Sequence, residues 1–424
     1  MNYTKLLREL QSPESMNRLA RLYGHREGML VRQVRRYNAL IKLHKDIFQS
    51  DKPLFVISSP GRTEIIGNHT DHNRGKVLAA AVNLDTLCVA TPRDDAKVRV
   101  HSEGYAPIEL GLESLAPRAE EAGTSAALIR GVAEGMAQAG FRVGGFDAVV
   151  TSDVLGGSGL SSSAAFEVMV GALLDALYNE GKLDSVRRAK IAQYAENVHF
   201  GKPSGLMDQM ASSVGGMTGI DFKTDEPRIL PLSFSFEQAG YALVVIGTGG
   251  SHDDLTPQYA AIREEMNAVA AFFGEKTLRA VRREEFYRDL AAARSACGDR
   301  PVLRAMHYYQ ENERVSLAVE ALKANDLEAF FRQINASGRS SWQLLQNISP
   351  ERGEQPLAVA LALAEELLAG RGACRVHGGG FAGTTLNFVP ADLLSCFVKK
   401  QEAVFGEGSC HVLDVRAEGA VRVF

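Results

Sequence analysis

Three stretches of the chain gather groups able to handle anions, hydroxyls and protons. The first is GGSG at 156–159, followed by Leu160 and by Ser161, Ser162 and Ser163 at the head of an Ala- and Leu-rich pattern of helical spacing. Glycines let a backbone approach an anion, and a helix N-terminus offers unpaired N–H groups and partial positive charge. Serine hydroxyls add hydrogen bonds or ligate Mg²⁺. Taken alone, the same residues also fit a glycine turn with serine caps. The loop has neither the Gly-Lys-Ser/Thr ending of a Walker A loop nor the G-x-G-x-x-G pattern of dinucleotide sites. The second stretch is PGRTEIIGNHTDHN, 60–73, where carboxylate, imidazole and amide side chains lie between two apolar runs. That chemistry suits a polyol, because such groups fix hydroxyl positions. A solvated loop is the plainer alternative. His69, Asp71 and His72 are also metal-ligand types, but no Cys or fourth spaced ligand accompanies them. The third is the pair Glu196 and Asp208, at a helix end and in the turn GLMDQ; a carboxylate among Leu206, Met207 and Met210 is a helix cap or a placed acid/base group.

The elements around these stretches must hold them. Leu30, Val34, Tyr37, Leu40, Ile41 and Leu43 predict helix in the first 50 residues. PLFVISS predicts a strand over 53–59 that ends at Pro60-Gly61, and further strands are expected over 77–91 and 98–101. Helix is expected over 124–139, strand within 141–154, and helix over 186–199. Beyond residue 225 the order is strand 241–247, helices near 257–273, 313–333 and 355–369, and two strand-like runs, TTLNFV and HVLDVR, after the loop HGGGFAG. No fixed-period repeat or low-complexity tract interrupts them.

Composition narrows the function classes. The 424 residues carry 47 Lys+Arg against 51 Asp+Glu, a formal charge of −4, which argues against a nucleic-acid binder held by bulk positive charge. With 45% hydrophobic and 23% charged residues the chain can bury a sizeable core. No apolar run reaches membrane-span length and the N-terminus lacks a secretory pattern, so a soluble cytoplasmic protein with no membrane partner is expected. The five cysteines are scattered without a C-x-x-C pair and read as buried free thiols.

Taken in order, the three stretches resemble the GHMP small-molecule kinases, and within them the galactose-phosphorylating branch. PGRTEIIGNHTDHNRGKVLAAAVN is similar to the motif PGRxNxIGEHTDYNxG, SDVLGGSGLSSSAAFEV to the ATP loop PxGxGLSSSAAxEV, and CRVHGGGFAGTT to the third motif, in which a GAGFGG loop follows a short strand. The stretches AEN (195–197) with SGLMDQ (204–209), and TPQYAAIREEM (256–266), also look like segments of that branch. The likeness runs from about Ser59 to the C-terminus, behind a helical leader of about 50 residues.

The resemblance implies an α+β, two-lobed fold with the active site between a lobe of residues 51–225 and a lobe of residues 226–424, the leader (1–50) packing on the first. It implies transfer of the ATP γ-phosphoryl to the anomeric hydroxyl of galactose by a monomer. Asp208 matches the base and Arg62 the cation beside it. Ser163 and Glu196 match Mg²⁺ ligands, while Gly157, Ser158, Gly159, Ser161 and Ser162 match the phosphate cradle. His69, Asp71 and Tyr259 match sugar contacts, as does Asn68, which stands where the motif has Glu. His72 replaces Tyr, Leu155 replaces Pro, Thr384 replaces Cys, and Gly338 stands where His is common. The exchange at Asn68 makes a related sugar 1-kinase, for N-acetylgalactosamine, arabinose or a uronic acid, the alternative substrate reading. A sugar/ATP sensor is the non-enzymatic one, opposed by the intact Ser162-Ser163-Ala164-Ala165.

Overall fold

A computed structural model describes residues 2–26, 28–154, 159–249, 255–350, 353–381 and 383–424. Its strands, in chain order, are β1 (Phe55–Ile66), β2 (Lys76–Pro92), β3 (Lys97–Ser102), β4 (Ile108–Gly111), β5 (Phe146–Ser152), β6 (Met217–Asp221), β7 (Arg228–Leu232), β8 (Tyr241–Gly247), β9 (Ala373–His377), β10 (Thr384–Pro390), β11 (Cys410–Leu413) and β12 (Val421–Arg422). Among the described residues they form two sheets, giving an α+β fold. One holds eight strands in the order β12-β1-β2-β5-β3-β4, with β6 and β7 branching from β2; the other runs β11-β8-β10-β9. β7 and β12, both beyond residue 225, belong to the first sheet.

Strand alternation explains why the first sheet is covered on both faces. Side chains of successive strand residues point to opposite sides. Val56, Leu87, Val89 and Val149 pack with Leu19, Leu22, Tyr37, Leu40 and Ile41 of the N-terminal helices. Their neighbours Ile57, Cys88, Ala90, Ala148 and Val150 pack with Ile129, Val132, Val168 and Leu173 of the helices Ser125–Gln138 and Ser162–Tyr178. The leader is therefore three helices, Tyr3–Glu9, Pro13–Tyr23 and Met29–Phe48, forming one full layer of the fold. A further core joins the sheets, with Ile65, Ile66, Leu78 and Val82 against Leu243, Val245, Leu386 and Phe388.

The five cysteines are free, as expected, but only Cys88 and Cys374 are buried, Cys396 being exposed; two expectations about the elements also change. β1 does not stop at Pro60-Gly61; it runs on to Ile66 because register shifts between Pro60 and Arg62, and again between Glu64 and Ile66, absorb the irregularity while pairing with β2 continues. The helix expected over 313–333 is two helices, Asp299–Lys323 and Leu327–Ser340. The break falls where Asn325 takes φ 58° and Asp326 caps the second helix by accepting from Ala329 N.

Candidate active site

Arg62 lies on β1 just past the first register shift, and Asp208 lies in the first turn of the helix Met207–Val214. Their side chains meet in a two-pronged pair, Nε to Oδ1 at 2.8 Å and Nη2 to Oδ2 at 2.9 Å. Arg62 is 6% exposed and Asp208 30%, so the carboxylate opens outward while its partner is enclosed. Burial opposes the charge on Asp208. The Arg62 guanidinium, with the Ser161 hydroxyl donating to Oδ2, more than offsets this and holds the carboxyl below its ordinary value. The third Arg62 prong, Nη1, donates to the carbonyl of Gly159, which ties the end of the first glycine loop to the same cation. Gly159 has φ 71°, and a Cβ there would meet Thr384 Oγ1 and His377 Nδ1. Only glycine fits this crossing. Gly157 and Ser158 lie outside the described residues. Ser162 opens the helix Ser162–Tyr178.

Ser163 Oγ donates to Glu196 Oε1 at 3.0 Å. Glu196 belongs to a π-helical turn, Ala195–Phe200, and its carboxylate also accepts Lys202 Nζ at 3.0 Å and Gln209 Nε2 at 2.8 Å. Partial desolvation works against the Lys202 ammonium, whose side chain is still 59% exposed, but the charges of Glu196, Asp208 and Glu167 raise its pKa overall. Serine and carboxylate oxygens are the hard donors that Mg²⁺ takes, and a carboxylate that already draws an ammonium is a cation-binding position, so this pair fits the ion.

The residues expected to meet sugar divide into two groups. Asp71 sits at the head of a short 3₁₀ turn (Asp71–Asn73) and packs against Gly205, where any Cβ would overlap its carboxylate. Burial, then the like charges of Asp208 and Glu64, push the Asp71 carboxyl up to about 6. Asn68, His69 and Tyr259 instead grip the third glycine loop. Asn68 Nδ2 donates to Gly378 O at 2.7 Å, His69 Nε2 to Gly379 O at 2.9 Å, and Tyr259 Oη to Gly380 O at 2.9 Å. Three successive carbonyls are thus held by three different side chains. Since a carbonyl only accepts, the His69 proton is assigned to Nε2; burial lowers its pKa, so the ring is neutral.

The galactokinase galactose-binding signature matches residues 42–92, and the GHMP kinases N terminal domain matches residues 127–216. The chain is 33% identical to the galactokinase of Streptomyces coelicolor over 361 residues, 84% of this chain and 89% of that protein. The chain belongs to the galactokinase family. The galactokinase of Exiguobacterium sibiricum is 32% identical over 80% of this chain and 85% of its own length. The crystal structure of Lactococcus lactis galactokinase complexed with galactose superposes with a TM-score of 0.79 at 25% identity, covering 90% of this chain and 98% of that one. A mevalonate kinase shares the GHMP fold at 12% identity, with a TM-score of 0.60 over 85% of this chain and 98% of that one.

Within this galactokinase-family site several residues escaped the sequence reading. His377, at the end of β9, accepts Glu64 N on Nε2 at 3.2 Å and faces Thr384 Oγ1 with Nδ1 at 3.1 Å, bridging the two sheets as a neutral ring. Asn347 Nδ2 reaches both Asn68 Oδ1, at 2.8 Å, and Gly379 O, at 3.0 Å. Glu64 pairs with Arg375 at 2.7 Å, both buried. Only Glu64 left a readable signal. The family motif has Asn and Glu where this chain has Glu64 and Asn68, an exchange visible once both positions are compared.

Proposed function

We propose that the chain phosphorylates galactose at its anomeric hydroxyl, giving galactose 1-phosphate and ADP from galactose and ATP. The two-pronged Arg62–Asp208 pair carries this reading. Phosphoryl transfer depends on positioning and charge neutralisation, with a carboxylate to receive the hydroxyl proton. Asp208, ionised and partly open, accepts that proton as the anomeric oxygen forms its bond to the γ-phosphorus. The bond from that phosphorus to the β,γ-bridging oxygen breaks, and ADP leaves with the electron pair. Arg62 stays on Asp208 and meets negative charge on the transferring group. Asp71 accepts a sugar hydroxyl, and the first glycine loop with Ser161 and Ser162 receives the phosphates. His69, Asn68 and Tyr259 contribute by holding loop 378–380 beside the sugar.

ATP-dependence accords with membership of the GHMP kinases. Mg²⁺ would be held by Ser163 and Glu196, where it would supply charge neutralisation for the phosphates. The protein acts as a monomer in the cytoplasm in this reading; no helix among the described residues is long and apolar enough to cross a membrane. An ADP-release assay across a panel of sugars, with the product phosphate located by NMR, tests the function. Galactose is expected to give the highest kcat/KM with phosphate on C1. Turnover of N-acetylgalactosamine, arabinose or a uronic acid without galactose would overturn it.

A further inference from the structure

The segment from Gly67 to Lys76 carries Asn68, His69 and Asp71, yet β1 ends at Ile66 and β2 begins at Lys76, so the turn between them lies beyond the β1–β2 ladder. Buried amides and carbonyls there need other partners. The turn meets part of that need itself, the amides of Thr70, Asn73, Arg74 and Gly75 bonding to carbonyls of residues 67–71, and one helix supplies further partners. In Asp299–Lys323, residues 307, 308, 311 and 312 follow the i, i+1, i+4, i+5 spacing of a single face. His307 Nε2 bonds Asn68 O at 2.9 Å, Tyr308 Oη donates to Asn73 O at 3.0 Å, and Asn312 Oδ1 accepts Lys76 N at 2.6 Å. Between them Glu311 Oε1 accepts Gly67 N at 3.0 Å and Asn68 N at 3.2 Å.

Glu311 is wholly buried, and its remaining capacity is filled by Ser337 Oγ at 2.6 Å and by Arg314 Nε, on Oε2, at 2.7 Å. We propose that Glu311 is a positioning residue for the sugar, its carboxylate fixing the turn at Gly67 and Asn68 so that Asp71 faces the substrate and His69 meets loop 378–380. The proposal rests on the galactose-phosphorylating reading above. It follows from what the position demands: both carboxylate oxygens accept, one from two backbone amides and a serine, the other from a guanidinium. A glutamine offers one accepting oxygen, so serving the turn would aim its NH₂ at the Arg314 donor. Burial disfavours the charge, but Arg314 above all offsets it and brings the carboxyl down to about 2, so the ionised form is the one present.

The test is Glu311→Gln in the full chain, with steady-state kinetics, thermal unfolding and amide hydrogen exchange. The expected result is a galactose KM raised at least tenfold, an ATP KM within twofold of the parent, and faster exchange at Gly67 and Asn68. An unchanged galactose KM, or an equal rise in both KM values accompanied by loss of folded protein, overturns the proposal. Should Glu311→Gln not fold, Ser337→Ala removes one donor to the carboxylate and is expected to raise the galactose KM two- to fivefold alone; no change there overturns it equally. A parent chain inactive on galactose would instead sink the functional reading. Exchange at Gly67 and Asn68 would still decide the case for Glu311, because unchanged protection in the variant removes it from the turn.

Discussion

Asn68 and Glu64 hydrogen-bond to each other at the end of β1, Asn68 Nδ2 lying 3.1 Å from Glu64 Oε1, and Arg375 Nη2 reaches that same oxygen at 2.7 Å. The family motif carries amide and carboxylate at these positions in the opposite order, so the departure at Asn68 is half of an exchange. One negative charge faces Arg375 in this chain, supplied from position 64. Asn68 itself is fully buried, with its amide on Glu64 and Gly378 and its oxygen receiving Asn347.

The exchange predicts compensation. Glu64→Asn strands the Arg375 charge and is expected to cost about 3–5 kcal/mol. Asn68→Glu places a second carboxylate beside Glu64 and is expected to cost a few kcal/mol as well. The double substitution restores one carboxylate and one amide, with a coupling energy of about 1–3 kcal/mol in urea titrations. Additive losses in the double variant would show that the two positions do not compensate.

Asp208→Asn keeps the shape of the side chain and removes the proton acceptor. Sugar and ATP binding measured by calorimetry should be retained, while kcat falls by about 10²–10⁴. Near-normal turnover would take Asp208 out of the role of base.

Asp71 gives the site a pH dependence. With its carboxyl raised to about 6 by burial and by the charges of Asp208 and Glu64, it is mostly protonated at pH 5 and ionised at pH 7. An ionised carboxylate accepts a sugar hydroxyl more strongly, so the galactose KM is expected to fall as pH climbs through about 6. Asp71→Asn should abolish that inflection, and Asp208→Asn, by removing a like charge, should move it to lower pH. For stability the sign is opposite to that of a paired carboxylate. The folded state holds this proton more tightly than the unfolded chain, so the contribution is full below about pH 4 and lost as pH rises through about 6.

Arg36 of the leader reaches Asp85, which is completely buried and also accepts Tyr23 Oη at 2.6 Å. Arg416 Nη1 stands 3.5 Å from the same carboxylate. Burial opposes the Asp85 charge, but Arg36, Arg416, Ser58 and Tyr23 together leave its pKa lowered. This stability is present above the unfolded carboxyl pKa of about 4 and is lost as pH falls through the folded value. Arg36→Ala is expected to cost about 3–5 kcal/mol at pH 7 by denaturant titration. Stability within about 0.5 kcal/mol of the parent would show that the Arg36–Asp85 pair contributes no net stability.

What the sequence disclosed was whatever neighbouring residues determine. Short apolar runs located β2 and β8, and the Ala- and Leu-rich pattern after the serines located the helix Ser162–Tyr178, because strand and helix periods are local. The path of β1 through Pro60-Gly61 was hidden because its pairing with β2 overrides the local turn signal. The partners of Asn68, His69 and Tyr259 were hidden for another reason. Gly378, Gly379 and Gly380 supply carbonyls rather than distinctive side chains, and they lie 310, 310 and 121 residues away. Asn347, His377 and Arg375 are ordinary residue types whose meaning comes only from the fold that brings them to β1.

The face of Asp299–Lys323 that holds the Gly67–Lys76 segment lies 235 to 244 residues downstream of the groups it binds. Sugar recognition in this chain is therefore not a portable cassette. Grafting residues 60–73 into another scaffold of the same fold would move the recognisable letters and leave behind the acceptors and donors that shape them. A transplant should succeed only when the host helix already presents equivalents of His307, Tyr308, Glu311 and Asn312, and that four-residue pattern is what a designer should match first.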